Sequence, residues 1–151
     1  IPTIFFDKKN ITVSETAGSI KLKVKMNICP PNATDVKLFV KYKNDSTLVP
    51  TDFKLGSNNK DTTFTFSGGI RPKDSIDLKL NIINDPFEEG QNDTIIFVLR
   101  SPTFPAIIAK DSLFTLVITD DDAPPSFSFS KSSITVKENG GSVKIRINKN
   151  K

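Results

Sequence analysis

The chain has 151 residues, a formal net charge of +4, a single cysteine and no histidine. Its length accommodates one domain of ordinary size plus a fragment, and a lone cysteine excludes an intrachain disulfide. Without histidine, Cys29 lacks the usual base that activates a nucleophilic thiol, and no stretch resembles a signal peptide or a membrane-spanning segment.

The excess of lysine does not by itself indicate a nucleic-acid partner. Between Ile20 and Met26, and again between Val36 and Lys43, lysines alternate with apolar residues. This pattern is typical of the solvated face of a β-sheet. The lysines are not interleaved with the aromatic residues on which single-stranded nucleic acids stack. We therefore expect no nucleic-acid partner and no direct membrane insertion.

Apolar and polar residues alternate with a period of two along most of the chain, and no segment has a sustained helical period. Turn-forming Gly, Pro, Asn, Asp and Ser residues separate the alternating segments. About seven short strands with turns between them predict an immunoglobulin-like antiparallel β-sandwich. The predicted strands centre on residues 11–13, 20–26, 36–42, 63–66, 76–82, 95–99 and 114–118.

The connection between residues 44 and 62 is longer than the others. It contains Val49-Pro-Thr-Asp-Phe53. We expect this loop to cross between the two sheets and to be anchored by Phe53, because a large apolar side chain in a polar loop gains most by entering the core.

The opening of the chain occurs twice. Residues 2–21 match residues 125–144 without a gap, at an offset of 123 residues. We interpret residues 1–123 as one sandwich and residues 124–151 as the truncated start of a second repeat, so that the chain is a piece of a longer protein. Residues 126–151 are expected to extend from the first module, to be mobile, or to pair with a neighbouring molecule through open strand edges.

Acidic residues are concentrated at one predicted end of the sandwich. If consecutive strands run in opposite directions, alternate connections share an end. The end that holds the first turn also holds the long loop, the loop after the fifth strand and the final Asp run. Of the seventeen acidic residues, that end contains Glu15, Asp45, Asp52, Asp61, Asp85, Glu88, Glu89, Asp93, Asp120, Asp121 and Asp122.

Such a concentration destabilises the fold unless something neutralises it. Two carboxylates about 5 Å apart repel by roughly 3 kcal/mol at an effective dielectric constant near 20. A divalent cation would offset this repulsion. Oxygen ligands from several loops, without His or Cys, suit Ca²⁺ better than Mg²⁺ or Zn²⁺. We predict ligands among Asp85, Glu88 and Asp120–Asp122, and loop-capping or solubilising roles for Asp45, Asp61 and Asp93. The alternative is that all these acids only solubilise loops.

Several segments together resemble a Calx-beta domain, the Ca²⁺-binding module of sodium/calcium exchangers that also occurs in tandem in adhesion and bacterial surface proteins. The resemblance covers residues 3–123, and residues 125–150 resemble the opening of another copy. It is carried by Ile11-Thr-Val-Ser-Glu15, Pro50-Thr-Asp-Phe53, Ile82-Ile-Asn-Asp-Pro-Phe-Glu-Glu89 with Ile95-Ile-Phe-Val-Leu99, and Ile118-Thr-Asp-Asp-Asp122.

The resemblance implies a set of calcium ligands made of seven acidic side chains. A backbone carbonyl near Pro86 or Phe87 would add one more ligand. Two departures from the family pattern, Asn84 in place of an acid and Gly90-Gln-Asn-Asp93 in place of a compact acidic run, reduce the negative charge. Both imply fewer ions or weaker binding. The side chains at ligand positions are Glu15, Asp52, Asp85, Glu88, Asp120, Asp121 and Asp122.

The functional hypothesis is a non-catalytic, calcium-binding tandem-repeat module of a larger extracellular or cell-surface protein with an adhesion or scaffold role. Ca²⁺ would rigidify the acidic end and the linker to the neighbouring repeat. The alternative is a metal-free structural spacer, or a sandwich that binds proteins or carbohydrates. An enzyme is disfavoured: paired carboxylates are present, as glycosidases require, but nothing indicates a cleft.

Overall fold

The computed structural model describes residues 1–43, 52–56, 61–69, 74–90, 92–110 and 112–150. Regular structure there is almost entirely β, apart from one 3₁₀ turn at Glu15–Ala17. The strands are β1 Thr3–Phe6, β2 Asn10–Ser14, β3 Ser19–Met26, β4 Thr34–Tyr42, β5 Phe53–Leu55, β6 Thr62–Phe66, β7 Ser75–Ile82, β8 Asp93–Arg100, β9 Ile107–Ile108, β10 Leu113–Thr119, β11 Ser126–Phe129 and β12 Ile147–Asn150.

Ten of these strands form two five-stranded sheets that pack face to face. The first sheet has the order β5-β7-β3-β1-β9, and the second has the order β2-β10-β8-β4-β6. The predicted all-β sandwich is confirmed. Most neighbours are antiparallel, but β1 pairs with β9 and β2 pairs with β10 in parallel, because the chain changes sheets between β1 and β2.

The structure contains short strands that the sequence pattern does not show. Strands β1, β5 and β9 have between two and four residues. A strand of this length is too short to display a period-two alternation, so only its partners in the sheet define it.

The core lies between the sheets and is formed by the inward rows of the alternating strands. In β3, Leu22 and Val24 are fully buried, whereas the intervening Lys21 and Lys23 are exposed. On the outer face, the Lys21 and Lys23 ammonium groups lie 3.3 and 3.7 Å from the carboxylate of Asp77. The alternating lysines therefore lie on the solvated face, as the sequence predicts.

Phe53 anchors the end of the long loop. Its side chain has no exposed surface, and its ring centroid lies 5.9 Å from Phe97 and 6.3 Å from Tyr42. The predicted anchoring residue is thus confirmed. The rest of the predicted anchor segment, residues 49–51, lies outside the described residues.

Within residues 126–150, β11 and β12 form a separate two-stranded sheet. Every residue in this range is exposed. Among the described residues, no helix has the length and apolar character needed to cross a bilayer.

Candidate metal centre

Strand pairing brings distant acidic residues together at one end of the sandwich. Because β2 and β10 run in parallel with Ser14 opposite Thr119, the residues that follow both strands emerge side by side. These residues are Glu15 and Asp120. On the other sheet, β5 begins opposite the end of β7, with Phe53 opposite Ile82. Asp52 therefore lies beside the loop that follows β7.

The first group of acids consists of Glu15, Asp120 and Asp122. One carboxylate oxygen from each lies within 4.8 Å of the others. Glu15 is only 3% exposed, although it begins a turn at the surface. Backbone amides hold the group in place: Asp122 N–H donates to Asp120 Oδ1 at 2.9 Å, and Asp121 N–H donates to Glu15 Oε1 at 3.4 Å.

The second group consists of Asp52, Asp85 and Glu89, whose carboxylate oxygens also lie within 4.8 Å of one another. Asp52 is 5% exposed. Its carbonyl accepts a hydrogen bond from Ile83 N–H at 2.7 Å, which fixes the start of β5 against the β7 end. Asp85 Oδ1 accepts from Phe87 N–H at 2.9 Å, and this bond shapes the turn that presents Glu89.

A hydrogen bond joins the two groups. The backbone amide of Glu89 donates to Asp120 Oδ2 at 2.6 Å. The six carboxylates therefore form one continuous acidic end, which four separate segments of the chain build: the turn after β2, the residue before β5, the loop after β7 and the segment after β10.

The electrostatic cost of this arrangement is visible in the pKa values of its members. Burial, together with the charges of Asp120 and Asp121, raises the pKa of Glu15 to about 7. Burial also raises the pKa of Glu89, and the carboxylates of Asp52, Asp85 and Asp120 act in the same direction. Hydrogen bonds act in the opposite direction at Asp120, where the backbone amides of Glu89 and Asp122 lower the pKa of the carboxyl group.

The structure brings five of the seven predicted ligands into the two groups. Asp121 lies beside them but is exposed, and its carboxylate accepts a hydrogen bond from Ser14 Oγ at 3.2 Å. Glu88 is exposed and belongs to neither of the groups found among the described residues. The five residues are Glu15, Asp52, Asp85, Asp120 and Asp122.

Glu89 is the group member that sequence reasoning missed. It follows Glu88 directly in a loop without regular structure, and both residues are exposed, so no strand period indicates which of the two carboxylates approaches Asp52 and Asp85. The Asp85-Pro86 dipeptide predicts a turn, but it does not predict the directions of the side chains at the end of the loop.

Two of the acids predicted to cap or solubilise loops do lie outside the groups. Asp61 Oδ1 accepts a hydrogen bond from Val40 N–H at 2.8 Å, which caps an edge of the sheet. Asp93 begins β8 and pairs with Ile118. Asp45 lies outside the described residues.

The donor set fits a hard divalent cation. Each group offers carboxylate oxygens alone, which suits Ca²⁺, whose sites contain about 6–8 oxygen ligands in flexible geometry. Zinc sites usually include nitrogen or sulfur ligands, and neither group contains His or Cys.

Comparisons with known proteins point to one family. A family model for the Calx-beta domain matches residues 1–119 and again residues 120–151. The apo form of the Calx CBD1 domain is 21% identical, with a TM-score of 0.64, over 80% of this chain and 98% of that one. No curated protein sequence matches this chain.

Longer structures are also similar. The calcium binding domain CBD12 of CALX1.1 is 21% identical with a TM-score of 0.64, over 90% of this chain and 53% of that one. A two-domain protein of unknown function from Bacteroides fragilis is 12% identical with a TM-score of 0.51, over 90% of this chain and 51% of that one. The chain thus spans about half the length of these structures, and at such identities the likeness concerns the fold alone.

Proposed function

Because the chain belongs to the Calx-beta domain family, whose members form Ca²⁺-binding tandem domains, we propose that it is a non-catalytic module that binds Ca²⁺ at its acidic end. One observation carries the proposal. Four segments that are distant in sequence deliver six carboxylates to one place, and within each group of three the oxygens lie within 4.8 Å of one another.

The groups divide the ligand role between them. Glu15, Asp120 and Asp122 surround one position, and Asp52, Asp85 and Glu89 surround a second. At separations of about 5 Å, each carboxylate pair repels by roughly 3 kcal/mol at an effective dielectric near 20, and a bound dication replaces this repulsion with attraction. Backbone amides hold the carboxylates of Glu15, Asp85 and Asp120 before any ion arrives, which reduces the ordering required on binding.

The wider role follows from where the first group lies. Asp122 directly precedes the linker Ala123-Pro-Pro125, so an ion held by Asp122 and Glu15 ties the linker to the first module. We infer that Ca²⁺ stiffens the joint between neighbouring repeats in an extracellular or surface protein with an adhesion or scaffold function. The two matches of the family model, to residues 1–119 and to residues 120–151, support this inference.

The test is calcium titration of the whole chain by calorimetry, together with thermal melting in Ca²⁺ and in chelator. Ca²⁺ at a hundredfold excess over its Kd should stabilise the folded state by about 2.7 kcal/mol. Asp120→Asn should remove most of this gain, because Asp120 belongs to the first group and contacts the second.

Asp77→Asn is the matched control, because it makes the same chemical change on the outer sheet face. It removes only surface ion pairs, so Ca²⁺ binding should be unchanged and stability should change by no more than about 1 kcal/mol. If the chain shows neither binding heat nor a calcium-dependent melt, the proposal is wrong. A metal-free spacer, or a protein- or carbohydrate-binding sandwich, would then describe it better.

A further inference from the structure

The outward lysines of the two sheets differ in their neighbours. On β3, in the first sheet, Lys21 and Lys23 share the carboxylate of Asp77 on β7. Lys25, the third lysine of this strand, pairs with Asp7, which directly follows β1. Every lysine of β3 therefore has a carboxylate within ion-pair distance, and its charge is offset by a neighbouring segment.

The outward cations of β4, in the second sheet, have no such partners. Lys37 and Lys41 are exposed, Lys37 lies directly opposite the exposed Arg100 on β8, and the exposed Lys43 follows the end of β4. None of these four side chains forms an ion pair with another residue that the structure describes. We define the basic row as Lys37, Lys41, Lys43 and Arg100.

Two carboxylates lie near the basic row, but neutral donors occupy both. Asp35 precedes Lys37 by two residues on β4, and its Oδ1 accepts a hydrogen bond from Thr65 Oγ1 on β6 at 2.5 Å. Asp61 Oδ1 accepts from the backbone amide of Val40 at 2.8 Å. The positive charge of the row is thus not offset by either neighbour.

Lys37 and Arg100 form the centre of this charge. Like charges directly opposite each other in a sheet repel and destabilise the pairing. The Arg100 guanidinium lies over the ring of Phe39, 5.9 Å from its centroid, which orients its planar set of donors. Lysine and arginine side chains donate hydrogen bonds but accept none. An oxyanion between them would replace the repulsion with attraction and supply the missing acceptors.

We propose that the basic row binds a sulfated polysaccharide. A sulfate group is fully ionised at neutral pH and offers several acceptor oxygens, so one group can contact both Lys37 and Arg100. Lys41 lies about 13 Å further along the strand, at roughly 3.3 Å per residue, so a linear polymer that follows β4 meets successive cations. The outer face of a sheet is open and suits such an extended chain.

A nucleic acid fits the same row less well. Proteins that bind single strands stack the bases on aromatic rings. Phe39 lies between Lys37 and Lys41 in the outward row of β4, but the Arg100 guanidinium lies over its ring. The row therefore offers charge without a free aromatic platform, which favours a polymer recognised through its anionic groups.

The experiment measures binding of the 151-residue chain to heparin, a sulfated polysaccharide, by calorimetry at several NaCl concentrations in metal-free buffer. Affinity should fall as NaCl rises, because bound cations release counterions from the polymer. Lys37→Gln with Lys41→Gln should weaken binding by roughly tenfold at low salt. It should also reduce the slope of log K against log[NaCl] by about one per lysine removed, as at phosphate contacts.

The matched control is Lys21→Gln with Lys25→Gln. It removes two lysines at the same spacing from the outward row of β3 and makes the same change in net charge, but these lysines already pair with carboxylates. Heparin affinity should fall by less than about twofold, since only the long-range attraction is reduced. Thermal melting verifies that both variants are folded.

Three outcomes would overturn the proposal. The chain could fail to bind heparin at low NaCl, or the two double variants could lose equal affinity, which would mean that net charge alone attracts the polymer. Oligothymidine or polyglutamate of matched length could bind as tightly as heparin, which would indicate a nucleic acid or an acidic protein segment instead. Because the buffer contains no metal, failure of the calcium proposal would not affect these results.

Discussion

At the scale of single residues, Glu15 shows how a polar position becomes a candidate ligand. The hydroxyl of Ser14 accepts a hydrogen bond from Thr16 N–H at 3.3 Å and caps the turn in which Glu15 lies. This turn directs the carboxylate inward, where it is 3% exposed. A buried carboxyl group without a cation prefers its neutral form, which is why its pKa is raised to about 7.

The pKa of Glu15 predicts how the stability of the metal-free protein depends on pH. The unfolded chain releases this proton near 4.5, whereas the folded chain holds it until about 7. The folded state thus binds more protons between these values, and the free energy of unfolding should fall as pH rises through this window. Urea unfolding midpoints between pH 4.5 and 8 measure the effect.

Glu15→Gln should flatten part of this pH dependence, because glutamine is neutral throughout. Some slope should remain, since the pKa of Glu89 is raised as well. Glu138→Gln is the control, because Glu138 occupies the same position of the sequence repeat and is exposed. Identical pH curves for the parent and Glu15→Gln would show that the Glu15 carboxyl does not titrate between these pH values.

At the scale of elements, strand ends rather than strand interiors build the site. Parallel pairing of β2 with β10 places Glu15 beside Asp120, and pairing of β5 with β7 places Asp52 beside Asp85. The three-residue strand β5 is held by the core through Phe53. The position of a ligand thus depends on packing of the adjacent residue.

Phe53→Ala should therefore affect both stability and calcium affinity. Removing a fully buried aromatic ring in contact with Phe97 should cost about 3–5 kcal/mol in the free energy of unfolding. The loosened β5 should also weaken Ca²⁺ binding, because Asp52 directly precedes it. Urea unfolding and calcium titration provide the two measurements.

Phe104→Ala makes the same substitution at a ring that is 93% exposed. Its effect on unfolding should stay within about 0.5 kcal/mol, and calcium affinity should not change. The proposed anchoring role fails if both variants unfold alike, or if Phe53→Ala loses stability but binds Ca²⁺ with the affinity of the parent.

At the scale of the whole molecule, one sequence motif occurs in two environments. Residues 3–26 are incorporated in a sandwich, whereas within residues 126–150 strands β11 and β12 pair in the same register as β1 and β3. The first copy is stabilised by the sheet that covers it, while the second exposes its apolar side chains. Burial of the apolar row in residues 3–26 therefore depends on the second sheet, which later segments of the same repeat contribute.

This contrast predicts unequal effects of one substitution at equivalent positions. Leu22→Ala should destabilise the sandwich by about 2–5 kcal/mol, because it leaves a cavity in the core. Ile145→Ala, at the matching position within residues 126–150, should change unfolding of the sandwich by no more than about 0.5 kcal/mol. Equal losses measured by urea unfolding would mean that residues 126–150 contribute to the first core.

The sequence by itself determined the all-β sandwich, the inward rows of the long strands and the end at which the acids gather, because a period-two pattern fixes which side chains share a face. It also indicated the anchoring role of Phe53. Only the tertiary structure decided the short strands β1, β5 and β9, the parallel edge pairings and the presence of Glu89 rather than Glu88 in a ligand group. These features depend on contacts between segments distant in the chain, and a loop without regular structure has no period from which the direction of a side chain follows.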